Sequence, residues 1–452
     1  MAEPSSCRMS PEEAWQPWEP ADGWNLKWAG HLLRRVGFGP TWPELQQALA
    51  NGPQKTLDGI FQSPPEAESF HAQMDQWESS ANPLPTLRAW WLRRMLETPQ
   101  PLVEKMTLFW HNHLALGNVR NVSAALIRDY LRAIRRHALG PLDRLLQTVV
   151  LQPAMLLSHG AEAHRKARPS EHFARVLLEH FTVGPGRFTE KDVQHTARAL
   201  TGYFVLREEV RFIDREYDPG PKTLFGQTGP IGAEELFQLL ARHPATATTI
   251  ARKLYRFFIS EAEEPPKALL EPLADRLTQG QPIGQLVETM LRSRWFFSSV
   301  AYRRRVNTAV EWVLALLRPM EVLIPTEALG HALVELGQAL GDPPTPAGWP
   351  DGQHWISPPL LLLRAKWAQQ FWASGSPFGQ KLDPAGLAYR HGIKTLPAQA
   401  EFLLNLYFQG DLPLQVRNQL VTQTELAGRQ NPADALRHLC ETLALLPQFQ
   451  WA

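Results

Sequence analysis

The sequence predicts a mainly α protein: one large multi-helical domain with long Pro/Trp-rich loops and at most a small β-hairpin. Apolar residues recur at helical spacing in segment after segment from Trp24 onward. Strand-type alternation competes with that pattern only around residues 203–212, where a hairpin would fit. The 39 prolines fall mostly between helical patterns, where a missing N–H donor does least harm.

Taken in order, residues 1–23 read as an irregular arm, because prolines at 4, 11, 17 and 20 deny it a long helix. Trp15 and Trp18 give this arm two docking groups. Trp28, Leu32 and Leu33 share a helical face before the turn at 36–39, and Pro43 opens the next helix, where its lost donor costs nothing. Helical patterns follow at about 84–97, 101–114, 121–137, 141–151, 170–183, 189–204, 233–242 and 244–259. They continue at about 266–278, 283–291, 303–318, 326–340, 358–373, 396–406, 411–426 and 431–445. The proline cluster at 342–359 must be loop, with Trp349, Trp355 and Ile356 pinning it to the core.

No repeat of fixed period suggests a solenoid, and no low-complexity linker interrupts the pattern. Residues 24–452 are therefore expected to form a single domain, with a functional centre at about 100–230 and a packed helical part at about 300–450. Lys plus Arg number 46 against 45 Asp plus Glu, which removes the global positive field needed for non-specific nucleic-acid binding. Cys7 and Cys440 lie at opposite ends, so they build neither a disulfide framework nor a cysteine zinc site. No apolar run approaches the ~20 residues of a membrane span, and the N-terminus shows no export signal. A cytoplasmic protein is expected.

Three segments carry candidate chemistry. In the first, Glu171, Arg175 and Glu179 fall on one arc of a helix at about 100° per residue, with Phe173, Val176, Leu177 and Phe181 opposite. This is either an exposed ladder of i, i+4 pairs or part of a site. His180 falls among the apolar positions, as a core histidine would. Thr189 and Asp192 have capping-box spacing, and Lys191, His195 and Arg198 share the polar side of the following helix, where they could form a small anion site. The second segment is Trp110-His111-Asn112-His113. Histidines at i, i+2 lie on opposite sides of a helix, so they bind one metal only if the helix has ended by His111. The third is the loop at 216–223, where Asp218 caps a turn or holds a divalent cation and Lys222 holds an anion or pairs with Asp218.

The chain carries HLLRRVGFG from His31, WHNH from Trp110, EHFARVLLEHFTVG from Glu171, FTEKDVQHTARALTGY from Phe188, YDPGPKTLFG from Tyr217 and GQALGDPPTPAGWPDGQHW from Gly337. Six segments in this order, spanning about 25–450, resemble the bacterial family of domain of unknown function 1800. Two positions depart from its pattern: Tyr217 stands where the family usually has His, and Val176 follows Arg175 where it has Glu. The resemblance implies little mechanism. It does imply a possible sulfatase-like partner, since family members commonly neighbour genes for such proteins.

Two functions are weighed on these residues. One is a pocket enzyme, a hydrolase or group transferase acting on an anionic or sugar-like ligand. Its catalytic groups would be His111, His113, Glu171, Arg175, Glu179, Asp192 and Arg198, with Asp218, Lys222 and Trp110 binding substrate. No residue is assigned to a metal, no cofactor is named, and purification without a stoichiometric transition metal is expected. The other is a helical scaffold that binds a partner protein and uses the same polar residues as a buried structural network.

Overall fold

The structure, a computed structural model, describes residues 9–20, 23–76 and 84–452. Among them are 22 α-helices and two two-stranded antiparallel hairpins, so the mainly α expectation holds. None of these helices is long and apolar enough to cross a membrane. A contiguous cluster of buried apolar side chains runs through the chain from Ala14 to Phe449.

The docking tryptophans of the arm are engaged. Trp15 Nε1 donates to the Leu269 carbonyl at 2.8 Å, and Trp18 stacks on Phe297 with ring centroids 4.2 Å apart. Residues 1–8 and 21–22 of that arm lie outside the described residues. The hairpin expected near 203–212 pairs Tyr203–Leu206 with Glu209–Phe212. A second hairpin, Lys222–Leu224 with Gln227–Gly229, was not anticipated from alternation. Its strands are only three residues long, and its turn rests on Phe225 (φ 49°) and Gly226 (φ 81°), the left-handed pair a tight hairpin turn requires.

Several of the signature residues build architecture. His31, Arg34 and Arg35 of the first helix, Leu26–Val36, are all buried. Arg35 Nη2 donates to the carbonyls of Ile259 and Ala301 at 2.8 and 2.7 Å. Gly39 sits at φ 95° with the Ala315 backbone 2.7 Å from where a Cβ would stand, so this approach admits only glycine. Two buried ion networks brace the centre. Glu104 accepts from Arg94 Nε at 3.2 Å, Arg135 Nη2 at 3.1 Å and Trp91 Nε1 at 3.1 Å. Glu311 accepts from Lys105 Nζ at 2.5 Å and Arg305 Nη1 at 2.6 Å.

Candidate functional site

Helix Pro101–His113 runs through the whole WHNH segment. Its four consecutive residues therefore point about 100° apart and reach four different parts of the fold. Trp110 is fully buried and donates Nε1 to the Ala138 carbonyl at 2.8 Å. His111 is also fully buried: Nε2 accepts from Gly341 N at 3.2 Å, so Nδ1 carries the proton and faces Tyr130 Oη at 3.3 Å. Tyr130 passes its own hydrogen to the Leu114 carbonyl at 2.6 Å. Burial pushes the imidazole down to about 3, which keeps it neutral. Asn112 Oδ1 accepts from Trp349 N at 2.6 Å. His113 donates Nε2–H to the Phe181 carbonyl at 3.0 Å and accepts from Lys253 Nζ at Nδ1, 2.7 Å away. Because the helix has not ended by His111, the two histidines face opposite ways and cannot share a metal. Among the described residues, no three His, Cys, Asp or Glu side chains gather as a metal would require.

The helix that carries Glu171, Arg175 and Glu179 departs from regular spacing. Glu171–Val176 is α-helical, but Leu177–Phe181 is a π-turn, closed by Thr182 Oγ1 donating to the Leu177 carbonyl at 2.7 Å. A π-turn inserts an extra residue, so positions beyond it rotate backward relative to a 100° wheel. His180, expected in the core, therefore turns out to be half-buried beside Glu179 on the wall of a cleft. Glu171 is exposed. Arg175 makes a bidentate pair with Glu190 at 3.0 and 2.5 Å.

Asp192 closes the expected capping box by accepting from Thr189 N at 2.8 Å, and its other oxygen holds Phe225 N at 3.1 Å. Arg198 pairs with Asp218 at 2.7 Å, and Asp218 also accepts from Gly220 N at 2.8 Å. Lys222 Nζ donates to the carbonyls of Asp218 and Gly220 at 2.7 and 3.1 Å. These bonds staple the 216–223 loop to helix Glu190–Ala199 and leave little free chemistry there.

The cleft has two chambers. The inner one, about 110 Å³, is far above the roughly 10–15 Å³ that a single water needs. Its polar lining includes Asn112, His113, Lys253, Arg256, Glu261 and Arg305, and its aromatic walls are Phe109, Phe257, Trp349 and Trp355. The outer chamber, about 430 Å³, is lined by Glu179, His180, Arg187, Arg252, Glu264 and Lys267, among others. Lys253 and Ala347 border both. The proline-rich loop forms one wall of the inner chamber through Ala347, Trp349, Pro350 and Trp355. Gly348 (φ 88°) lets it press on Asn112, whose carbonyl oxygen lies 2.2 Å from where a Cβ would stand.

Lys253 sits on helix Pro244–Phe258 with His113 Nδ1 as its hydrogen-bond partner, and no described carboxylate pairs with it. Burial lowers its pKa to about 8, with Asp351 pulling weakly the other way. Burial also holds His113 well below the usual imidazole range, with the Lys253 charge as a second cause. Arg256 reaches Asp351 at 3.3 Å across the mouth.

Of the ten residues expected to gather in one cleft, His113 lines the inner chamber and Glu179 the outer one; the other eight line neither. Trp110 and His111 are core. Glu171 and Arg175 lie on an exposed face, and Asp192, Arg198, Asp218 and Lys222 hold the second hairpin. Lys253, Arg256, Glu261, Arg305 and Asp351 were missed. Lys253 had a signal: Ile250, Lys253 and Phe257 fall on one helical stripe, and a lysine on an apolar stripe calls for a reason.

The fold and this cleft define a class: a mainly helical protein with two adjoining chambers, one walled by the WHNH helix and the proline-rich loop, the other bordered by the π-turn. The chain belongs to the family described as Protein of unknown function (DUF1800), whose model matches residues 31–451. No curated protein and no solved structure matches it significantly.

Proposed function

We propose that the protein is a pocket enzyme, a hydrolase or group transferase for a small anionic or sugar-like substrate, with Lys253 as its reacting base and His113 as a positioning residue. The observation that carries this reading is the Lys253 amine, set between two chambers and hydrogen-bonded to a neutral imidazole rather than to a carboxylate. A lysine with a pKa near 8 is substantially neutral in mildly basic solution and can take a proton from an attacking water or hydroxyl. His113 Nδ1 accepts one N–H of Lys253, which turns the lone pair of the neutral amine away from the imidazole. The lining carries six cations, Arg187, Arg252, Lys253, Arg256, Lys267 and Arg305, against four carboxylates, Glu179, Glu261, Glu264 and Asp351. That surplus suits an anion. Trp349 and Trp355 add aromatic lining that suits an apolar or ring-bearing part of the substrate.

The reading is tested with 4-nitrophenyl acetate, phosphate, sulfate and glycosides between neutral and basic pH. We expect release from one class, with a rate that rises with pH through about 8 and is lost in Lys253→Met while the variant still unfolds cooperatively at or above the wild-type melting temperature. Release from none, or equal rates in Lys253→Met, overturns it. The scaffold reading is favoured by a different observation: His111, Asp192, Arg198, Asp218 and Lys222 spend their polar atoms inside the fold. A partner protein would then dock elsewhere, and the cleft would be idle.

A further inference from the structure

We infer that the inner chamber contains an oxyanion seat formed by the side-chain amides of Asn112 and Gln338 and the free Nη2 of Arg305. The inference rests on the pocket reading above and assigns the part of the ligand that is held, as distinct from the part that reacts at Lys253.

The orientation of both amides follows from their partners. A backbone N–H can only donate, so the side-chain atom that meets it must be the oxygen. Trp349 N meets Asn112 at 2.6 Å, and Val310 N meets Gln338 at 2.9 Å. In each case the amide nitrogen is left over, makes no hydrogen bond to a described residue, and belongs to a side chain that lines the chamber. Gln338 is 3% exposed and Arg305 2%, so these are buried donors rather than surface groups. Arg305 is held by Glu311 through Nη1, lies over the Phe257 ring at 4.5 Å, and has no hydrogen-bond partner for Nε. Its Nη2 likewise donates to no described residue.

The charge balance behind the wall has the same sign. Arg35, Lys105 and Arg305 are buried cations against the buried carboxylate Glu311 and the partly buried Glu261. Arg35 bonds only backbone carbonyls. Within this group of five the cations exceed the carboxylates by one, with Asp351 at the chamber lining as a further acid. Two acids share the lining, Glu261 and Asp351; Glu261 Oε1 lies 3.8 Å from Arg305 Nε, Val306 N holds its other oxygen at 3.2 Å, and burial raises its pKa. Donors locked before a ligand arrives, next to buried cations, suit a carboxylate, phosphate or sulfate group.

Asn112→Asp and Gln338→Glu each keep the oxygen that meets the backbone N–H and replace the chamber-lining NH2 with a second oxygen, which exchanges a donor for an acceptor and adds a negative charge; Asn112→Leu and Gln338→Met remove the donor without adding charge and should weaken anion binding as well. Calorimetric titration of the full chain with benzoate, phosphate and sulfate tests the seat. We expect at least one to bind, with affinity falling at least about tenfold in each acidic variant while the melting temperature stays close to wild type. Lys253→Met should lose turnover yet still bind the anion, with an affinity lowered less than in the seat variants, because it removes one neighbouring charge and none of the seat donors. Preference for benzoate marks a carboxylate substrate, and preference for phosphate or sulfate an ester of that acid. If none of the three binds, or if both acidic or both neutral variants bind like wild type, the seat is wrong even where Lys253-dependent turnover is found. Anion binding lost in the variants without any turnover keeps the seat and removes the enzyme. Should Asn112→Asp unfold, Gln338→Glu decides.

Discussion

Lys253 Nζ donates to His113 Nδ1 at 2.7 Å, and His113 in turn donates to the Phe181 carbonyl at the end of the π-turn. This relay ties three elements distant in sequence to a single amine. It also fixes the imidazole tautomer, since the nitrogen that receives an ammonium hydrogen cannot carry its own.

Lys253→Met is expected to stabilise the protein. The folded pKa, near 8, lies below the ordinary lysine value of 10.5, so the unfolded chain binds more protons between those values and wild-type stability rises with pH across that window. Near neutrality the variant should be more stable by on the order of 1–3 kcal/mol, and the gap should close toward pH 10.5. Denaturant titrations at several pH values check the sign.

His113→Phe removes the acceptor for the Lys253 ammonium while keeping a flat ring. The Lys253 pKa should fall further, and any pH-rate profile governed by it should move to lower pH, a shift that a purely structural histidine would not cause. The profile of the variant against wild type is the measurement.

Glu104→Gln should cost about 3–5 kcal/mol, because Arg94 and Arg135 lose their shared buried countercharge. The Glu104 pKa is pulled down to about 2 by the two arginines against its burial, so its contribution is complete above pH 4.5 and fades as pH falls toward 2. The acid limb of the stability curve should flatten in the variant.

His111→Ala should lower stability by roughly 1–3 kcal/mol through loss of the acceptor for Gly341 N and of packing among Trp91, Tyr130 and Trp349. Anion binding in the folded variant should be unchanged. A variant of native stability that no longer binds would place His111 in the chemistry instead.

Helices such as Pro101–His113 and Pro244–Phe258 were legible because 3.6-residue periodicity is local. The capping box of Asp192 was legible for the same reason. The chamber was not, because its bonds close over long separations: His113 to Lys253 spans 140 residues, and Asn112 to Trp349 spans 237. The six signature segments marked where the fold is demanding, and His31, Arg35, Asn112 and Lys222 among them bond backbone atoms. Only the π-turn misled locally, since a 100° wheel sends His180 inward where the chain turns it toward the cleft.

The most direct test of the account is the titration of Lys253 itself, read by competitive acetylation and mass spectrometry of the intact folded chain across pH. A midpoint near 8 that rises when sulfate or phosphate occupies the chamber is the expected result. A midpoint at the ordinary lysine value of 10.5, unmoved by anions and by His113→Phe, would contradict it.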